Sequence, residues 1–241
     1  MPPPDAALDA LLQNPVPSAL RGPLRDFGTV RGGAAVFAAD VSPFAGLPPG
    51  PTAGDWAHLT ALCEPGRQLA LVHAGERAPA LPAGWERVLE LPGVQMDGGG
   101  VTGEPDDEAV VLGPGDRAEM ADLADRTRPG PWLARTAELG TFLGIRHDGR
   151  LIAMAGERLR FDAGPGARAR EISAVCTDPE FRGKGLAGRL VRAVAAGMLA
   201  RGERPLLHAS AANTGAIRLY RALGFTEARA MRFELLRTPE R

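Results

Sequence analysis

The sequence predicts an α/β (α+β) protein whose second half builds a sheet flanked by helices, and three stretches carry that prediction. In Ala174–Leu190 a short apolar run ends at Cys176 and a Thr-Asp-Pro turn follows. Then come Arg182-Gly183-Lys184-Gly185 and a helical pattern from Leu186, which together read as strand, glycine loop and helix start. His147-Asp148-Gly149-Arg150 separates two apolar runs, and Asp-Gly at such a point is a strong hairpin signal. Asn213 precedes an amphipathic run that stops at Gly224, the pattern of a helix capped at both ends.

The remaining elements follow in order. Asp5 to Gln13 predicts a short helix with Leu8, Leu11 and Leu12 on one side, inside a proline-scattered stretch that runs to residue 33. Gly32 to Ala39 reads as a strand, and Pro43 to Thr52 as a turn-rich connection. Asp55 is the expected cap of a helix through Cys63; strands follow at Gln68–His73 and Trp85–Leu91. Asp97 to Asp107 is the clearest composition break, polar and rich in glycine, and is read as a linker. It divides the chain into an N-terminal α/β region, 1–104, with no phosphate loop, and a second domain, 105–241. The second domain is expected to run strand 109–112, helices 116–126 and 133–139, hairpin 142–146 with 151–155, and strand 170–176. Helix 186–200, strand 206–210, helix 213–223 and strand 229–236 complete it. Ala74-Gly75-Glu76-Arg77 recurs as Ala155-Gly156-Glu157-Arg158, an echo that chance explains better than duplication.

Composition bounds the function. The 241 residues suffice for one large or two small domains, and 44% apolar with 24% charged residues is the balance of a soluble globular protein. A net charge of -1 supplies no basic field for nucleic acid or an anionic membrane, so neither is an expected partner. Met1-Pro-Pro-Pro is neither basic nor followed by a long apolar core, and no run reaches about 18 apolar residues, so the expected location is cytoplasmic. Cys63 and Cys176 sit in apolar runs and read as buried free thiols; no metal-ligand spacing occurs.

The glycine loop carries the chemistry. The first amides of a helix lack intrahelical partners, and the helix dipole adds partial positive charge, so such an end receives phosphate. Gly183 and Gly185 let the backbone approach an anion, and Arg182 and Lys184 add charge. The spacing G-x-G-x-x-G through Gly188 also matches the dinucleotide fingerprint. Its context fails, because six residues separate strand from first glycine and no acid ends the next strand. The ATP-binding G-x-x-x-x-G-K-[ST] is absent.

From about Glu108 onward the element order resembles the GCN5-related N-acetyltransferase (GNAT) superfamily, most closely its FR47-like branch. Arg182-Gly183-Lys184-Gly185-Leu186-Ala187 is similar to that family's acyl-CoA loop, [QR]-x-x-G-x-[GA]. Asn213 to Phe225 is similar to its closing motif, N-x-x-A-x-x-L-Y-x-x-L-G-F. The resemblance does not reach residues 1–100. It implies a mixed, mostly antiparallel central sheet flanked by helices, with the first half a possible degenerate copy. It also implies transfer of an acetyl or other short acyl group from acyl-CoA to an amine, small molecule or peptide, without a metal. The rival reading is an acyl-CoA-binding module without turnover.

On that resemblance the diphosphate would lie on Arg182, Gly183, Lys184, Gly185, Leu186 and Ala187. The pantetheine arm would pair with backbone at Ala174, Val175 and Cys176, and Asn213 would contact it. Tyr220, the only tyrosine, stands at the family's proton-donor position, and a backbone amide near Val175 would meet the oxyanion. Glu171 and then Glu157 are the candidate bases, each equally readable as an ion-pair partner of Arg170 or Arg158. His208, inside an apolar strand, reads as a satisfied core histidine, and no base beside Cys176 supports an acyl-cysteine. The acceptor walls are expected from Asp116 to Leu139, with Met120, Trp132 and Leu133 making them partly apolar.

Overall fold

The computed structural model describes residues 4–75 and 77–240. Two helices come first, α1 (Pro4–Gln13) and α2 (Pro15–Arg21), then β1 (Gly28–Arg31), β2 (Ala34–Phe37), β3 (Phe44–Gly46), α3 (Ala53–Ala61), β4 (Gln68–Ala74) and β5 (Glu86–Asp97). The second half comprises β6 (Val110–Leu112), α4 (Arg117–Thr127), β7 (Phe142–His147), β8 (Arg150–Asp162), β9 (Arg168–Thr177), α5 (Leu186–Ala200), β10 (Arg204–Ser210), α6 (Thr214–Ala222) and β11 (Thr226–Arg237).

Local chemistry explains these elements and three departures from expectation. Proline at the first helical position costs no hydrogen bond, so Pro15 starts α2 within the proline-scattered stretch, where no second helix was expected. The cap of α3 is Thr52, whose hydroxyl accepts from the Asp55 amide while Asp55 reaches back to the Thr52 amide. Only Thr136–Leu139 coils between α4 and β7, as one 3-10 turn. The expected helix is broken because the segment docks on the first half: Arg135 N donates to Asp40 O at 2.8 Å and Thr136 Oγ1 to Val41 O at 2.8 Å. Asp148 and Gly149, both at positive φ, make the hairpin turn.

All the strands join one mixed, mostly antiparallel sheet in the order β1-β2-β3-β4-β11-β5-β10-β9-β8-β7-β6. The first half runs antiparallel hairpin, antiparallel third strand, helix, parallel fourth strand. The second half repeats that run with β7, β8, β9, α5 and β10. Each half's last strand crosses over: β5 pairs with β10, and β11 pairs with β4. β5 and β11 lie antiparallel at the centre. Leu71-Val72-His73-Ala74 ends β4 where Leu206-Leu207-His208-Ala209 stands in β10. The Ala-Gly-Glu-Arg echo is not such a pair, since its first copy starts at the last residue of β4 and its second lies within β8; Glu76 is outside the described residues.

The sheet curls. Across its concave face β3 meets β8, with the Arg158 guanidinium 4.6 Å from the Phe44 ring centroid, and α1 and α2 fill one end. On the other face α5 and α6 cover the second half through Leu190, Val194, Met198 and Ile217. The polar stretch after β5 lies against α5: Gly98 N donates to Pro205 O at 2.9 Å, Val101 is buried, and Arg189 binds Asp106 at 2.6 Å. A Cβ on Gly103 would sit 2.4 Å from Ala196 Cα.

Candidate active site

β9 and β10 pair only as far as Ile172 and Leu207, then splay. At the splay β9 carries a bulge. The register with β8 steps from Ser173 opposite Gly156 to Cys176 opposite Met154, so β9 holds one residue more there, and Ala174 adopts φ +52°. A non-glycine residue in that region is strained, and such strain concentrates at functional sites. The bulge turns the backbone of Ala174 and Val175 away from the regular ladder.

β9 then runs through Pro179–Phe181 into the glycine loop. Gly183 and Gly185 have φ of +79° and +77° with open space where a Cβ would stand, so glycine is required for conformation, not clearance. Gly185 caps α5 without a side-chain hydrogen bond, and no acid occupies its first turn. Its leading amides are therefore free for an anion. Arg182 stands beside them, its Nε 3.3 Å from Thr177 O, while Lys184 turns aside over the Phe181 ring at 4.6 Å. At the start of α6, the side-chain Oδ1 of the capping Asn213 accepts from Ala216 N at 3.1 Å. Tyr220 packs edge-on against Phe225, and burial pushes its phenol up to about 12.

One cavity of about 850 Å³ joins these parts. Of the expected cofactor residues, Ala174, Val175, Cys176, Arg182, Gly183, Gly185, Leu186, Ala187, Asn213 and Tyr220 line it, and Lys184 does not. The cavity extends past the splay onto the concave side of the sheet. There the wall comes from Phe44 and Ala70 of the first half, Leu89 and Leu91 of β5, and Phe233 and Leu235 of β11. Sequence reading missed this wall. Its one local signal was the alternation of Leu89 and Leu91, which the curl of the sheet turns into a lining. From the expected wall region only Thr127–Pro131 contributes; Met120 is core and Trp132 packs on Phe142.

Neither candidate base, Glu171 or Glu157, lines the cavity. Glu157 is buried between Arg170 and Arg201, 2.6 and 2.5 Å away. Glu171 is fully buried and takes two bonds from Arg158, 2.6 and 2.9 Å, and one from His208 Nδ1 at 2.8 Å. Burial alone would raise its pKa, but Arg158 and His208 outweigh that and hold the carboxyl far below the usual range. Both imidazole nitrogens of His208 are engaged, the second with Gln95 Nε2 at 3.0 Å, although the ring borders the cavity. Burial pushes the Cys176 thiol up, leaving it protonated and a poor nucleophile. Among the described residues the lining holds Arg128, Arg158 and Arg182 and no carboxylate, and no cluster of His, Cys, Asp and Glu suits a metal. No described helix is long and apolar enough to cross a membrane.

The second half matches the family described as FR47-like protein over residues 142–233. Among solved structures, a GNAT-family protein from Novosphingobium aromaticivorans is 42% identical, with a TM-score of 0.84 over 94% of this chain and 98% of that one. A GCN5-related N-acetyltransferase from Kribbella flavida shares the fold at 19% identity, TM-score 0.60, over 98% and 96% of the two chains. A GCN5-related N-acetyltransferase-like protein from Streptococcus suis does so at 17%, TM-score 0.55, over 95% and 98%. No curated protein matches. The N. aromaticivorans likeness runs through both halves, including the part that carries no motif, and on its strength the chain belongs to the GNAT family.

Proposed function

We propose that the protein transfers an acetyl or other short acyl group from acyl-CoA directly to a primary amine held in the same cavity. The observation that carries this reading is the continuity of the cavity, from the uncapped end of α5 past the splay to the concave side of the sheet. Acyl-CoA would supply the acyl group as an activated thioester. The amides of 186–188 and Arg182 fit its diphosphate, and the bulged backbone at Ala174 and Val175 offers hydrogen bonds to its amide-bearing arm. The Val175 amide is the assigned donor to the acyl oxygen.

The amine nitrogen forms the C–N bond as the C–S bond breaks, and the proton it then sheds passes to the thiolate or to solvent. Tyr220 serves as a hydrogen-bond donor to the departing sulfur. With its phenol near 12 and a thiol near about 8.5, outright proton transfer is uphill by about 5 kcal/mol, whereas a hydrogen bond to the thiolate is favourable. The amine reaches the site uncharged. Three guanidiniums and no carboxylate line the cavity among the described residues, so an ammonium is disfavoured there and its proton leaves to solvent.

Acetyl-CoA at a hundredfold excess over its Kd should stabilise the protein by about 2.7 kcal/mol, read as a rise in Tm. Transfer to a primary amine should show kcat/KM climbing about tenfold per pH unit from 6 to 9, following the free amine. No shift with any acyl-CoA overturns the assignment, and a plateau above pH 7 would reveal an enzyme base.

A further inference from the structure

The concave part of the cavity has three properties that together describe its guest. Its wall is apolar and unpartnered: Leu89 and Leu91 stand opposite Leu235 and Phe233 across the β5–β11 pair and remain 47% and 43% exposed. Of the three guanidiniums in the lining, one is held in place on two sides. Arg158 is stacked on Phe44 and held through Nε and Nη2 by Glu171, while Nη1 has no partner among the described residues. The lining offers no carboxylate to a second ammonium.

Building on the acyl-transfer reading, we propose that the acceptor is a free amino acid with an apolar side chain. Its α-amine meets the acyl group at the splay, its carboxylate binds Arg158 Nη1, and its side chain lies on Leu89, Leu91, Phe233 and Leu235. A guanidinium held on two sides presents its remaining N–H groups in a fixed direction, which suits a planar carboxylate. Leu89 and Leu91, nearly half exposed on that wall, gain by being covered. Polyamines and basic peptides carry extra positive charge into a cavity that has only guanidiniums to meet it, and an N-terminal residue of a protein lacks the carboxylate. The first half thus has a task in the reaction, because Phe44, Leu89 and Leu91 all belong to it.

The test compares leucine with leucinamide, isoamylamine and spermidine as acceptors under saturating acetyl-CoA, with calorimetric titration of leucine into the CoA-bound protein alongside. Leucine should bind, and its kcat/KM, expressed per concentration of free amine for each acceptor, should exceed that of each of the other three at least tenfold. Leu91→Asp, at a half-exposed position where folding is not at risk, should weaken leucine binding and raise its KM at least tenfold while the acetyl-CoA thermal shift persists. Arg158→Lys should narrow the gap between leucine and isoamylamine. Equal use of leucine and isoamylamine by the wild type, or unchanged leucine binding in Leu91→Asp, overturns the amino-acid acceptor. An absent acetyl-CoA shift sinks instead the acyl-transfer reading beneath it, while transfer confined to other amines sinks only this inference.

Discussion

Tyr220 illustrates how one side chain couples the site to stability. It is buried, and its hydroxyl has no hydrogen-bond partner among the described residues, so desolvation raises the phenol from 10.0 to about 12. The folded protein then holds a proton that the unfolded chain releases first. Stability from this residue is complete below pH 10 and is lost as pH climbs toward 12, by about 3 kcal/mol in total. Chemical denaturation between pH 9 and 12 should show that loss in the wild type and a shallower one in Tyr220→Phe. The residual slope there comes from Cys63 and Cys176, whose thiols burial also raises. The same variant should bind acetyl-CoA undiminished and turn over more slowly, so loss of binding would assign the ring to packing alone.

At the scale of the element, the two halves set matching helix ends in opposite electrical states. α5 begins at an uncapped glycine with no acid in its first turn. Its counterpart α3 begins after Leu47-Pro48-Pro49-Gly50-Pro51-Thr52, where three prolines supply no amide hydrogens and the Thr52–Asp55 box closes the helix end with a carboxylate. A cavity of about 530 Å³ survives beside that loop, bordered by His73 as the larger one is by His208. Arg77 lines it, but the capping box sets a carboxylate at the helix end, which disfavours a diphosphate there. The difference can be imposed on α5. Ala187→Asp puts a carboxylate at its first turn, which favours the helix by about 0.3–1 kcal/mol yet occupies the anion site. The variant should keep or raise its Tm and lose acetyl-CoA affinity at least a hundredfold; retained affinity would move the diphosphate elsewhere. These helix ends were readable in the sequence because capping and glycine turns are local chemistry. β3, three residues long within Pro43–Thr52, was not readable, because its strand character comes from pairing with β2 and β4.

At the scale of the whole molecule the decisive feature is the exchange of β5 and β11, and no local signal encodes it. The strands themselves were legible in outline, from Trp85–Leu91 and Arg229–Leu236. Their neighbours were not, since register between strands so far apart in the chain is set by packing and not by composition. The acceptor wall was hidden for the same reason: Phe44, Leu91 and Arg158 come to line one cavity only after the sheet has formed and curled. The exchange also interleaves the cores. Leu236 of β11 packs with Trp56 and Trp85 of the first half, and Met96 of β5 packs with Ile172, Leu190 and Tyr220 of the second. Fully buried Glu234 of β11 binds His73 of β4 at 2.8 Å and Arg87 of β5 at 2.7 Å, so one carboxylate ties three central strands. Residues 105–241 alone would leave β11 without either neighbour and β10 with an open edge; residues 1–104 alone would leave β4 and β5 unjoined. Expressed separately, both pieces should be insoluble or lack a cooperative thermal transition, because each exposes an apolar strand edge. Co-expressed, they should copurify and recover the acetyl-CoA shift of the intact chain. A 105–241 fragment that melts cooperatively within a few degrees of the full protein would show that the exchanged strand is dispensable, and that the first half is an appendage and not a structural partner.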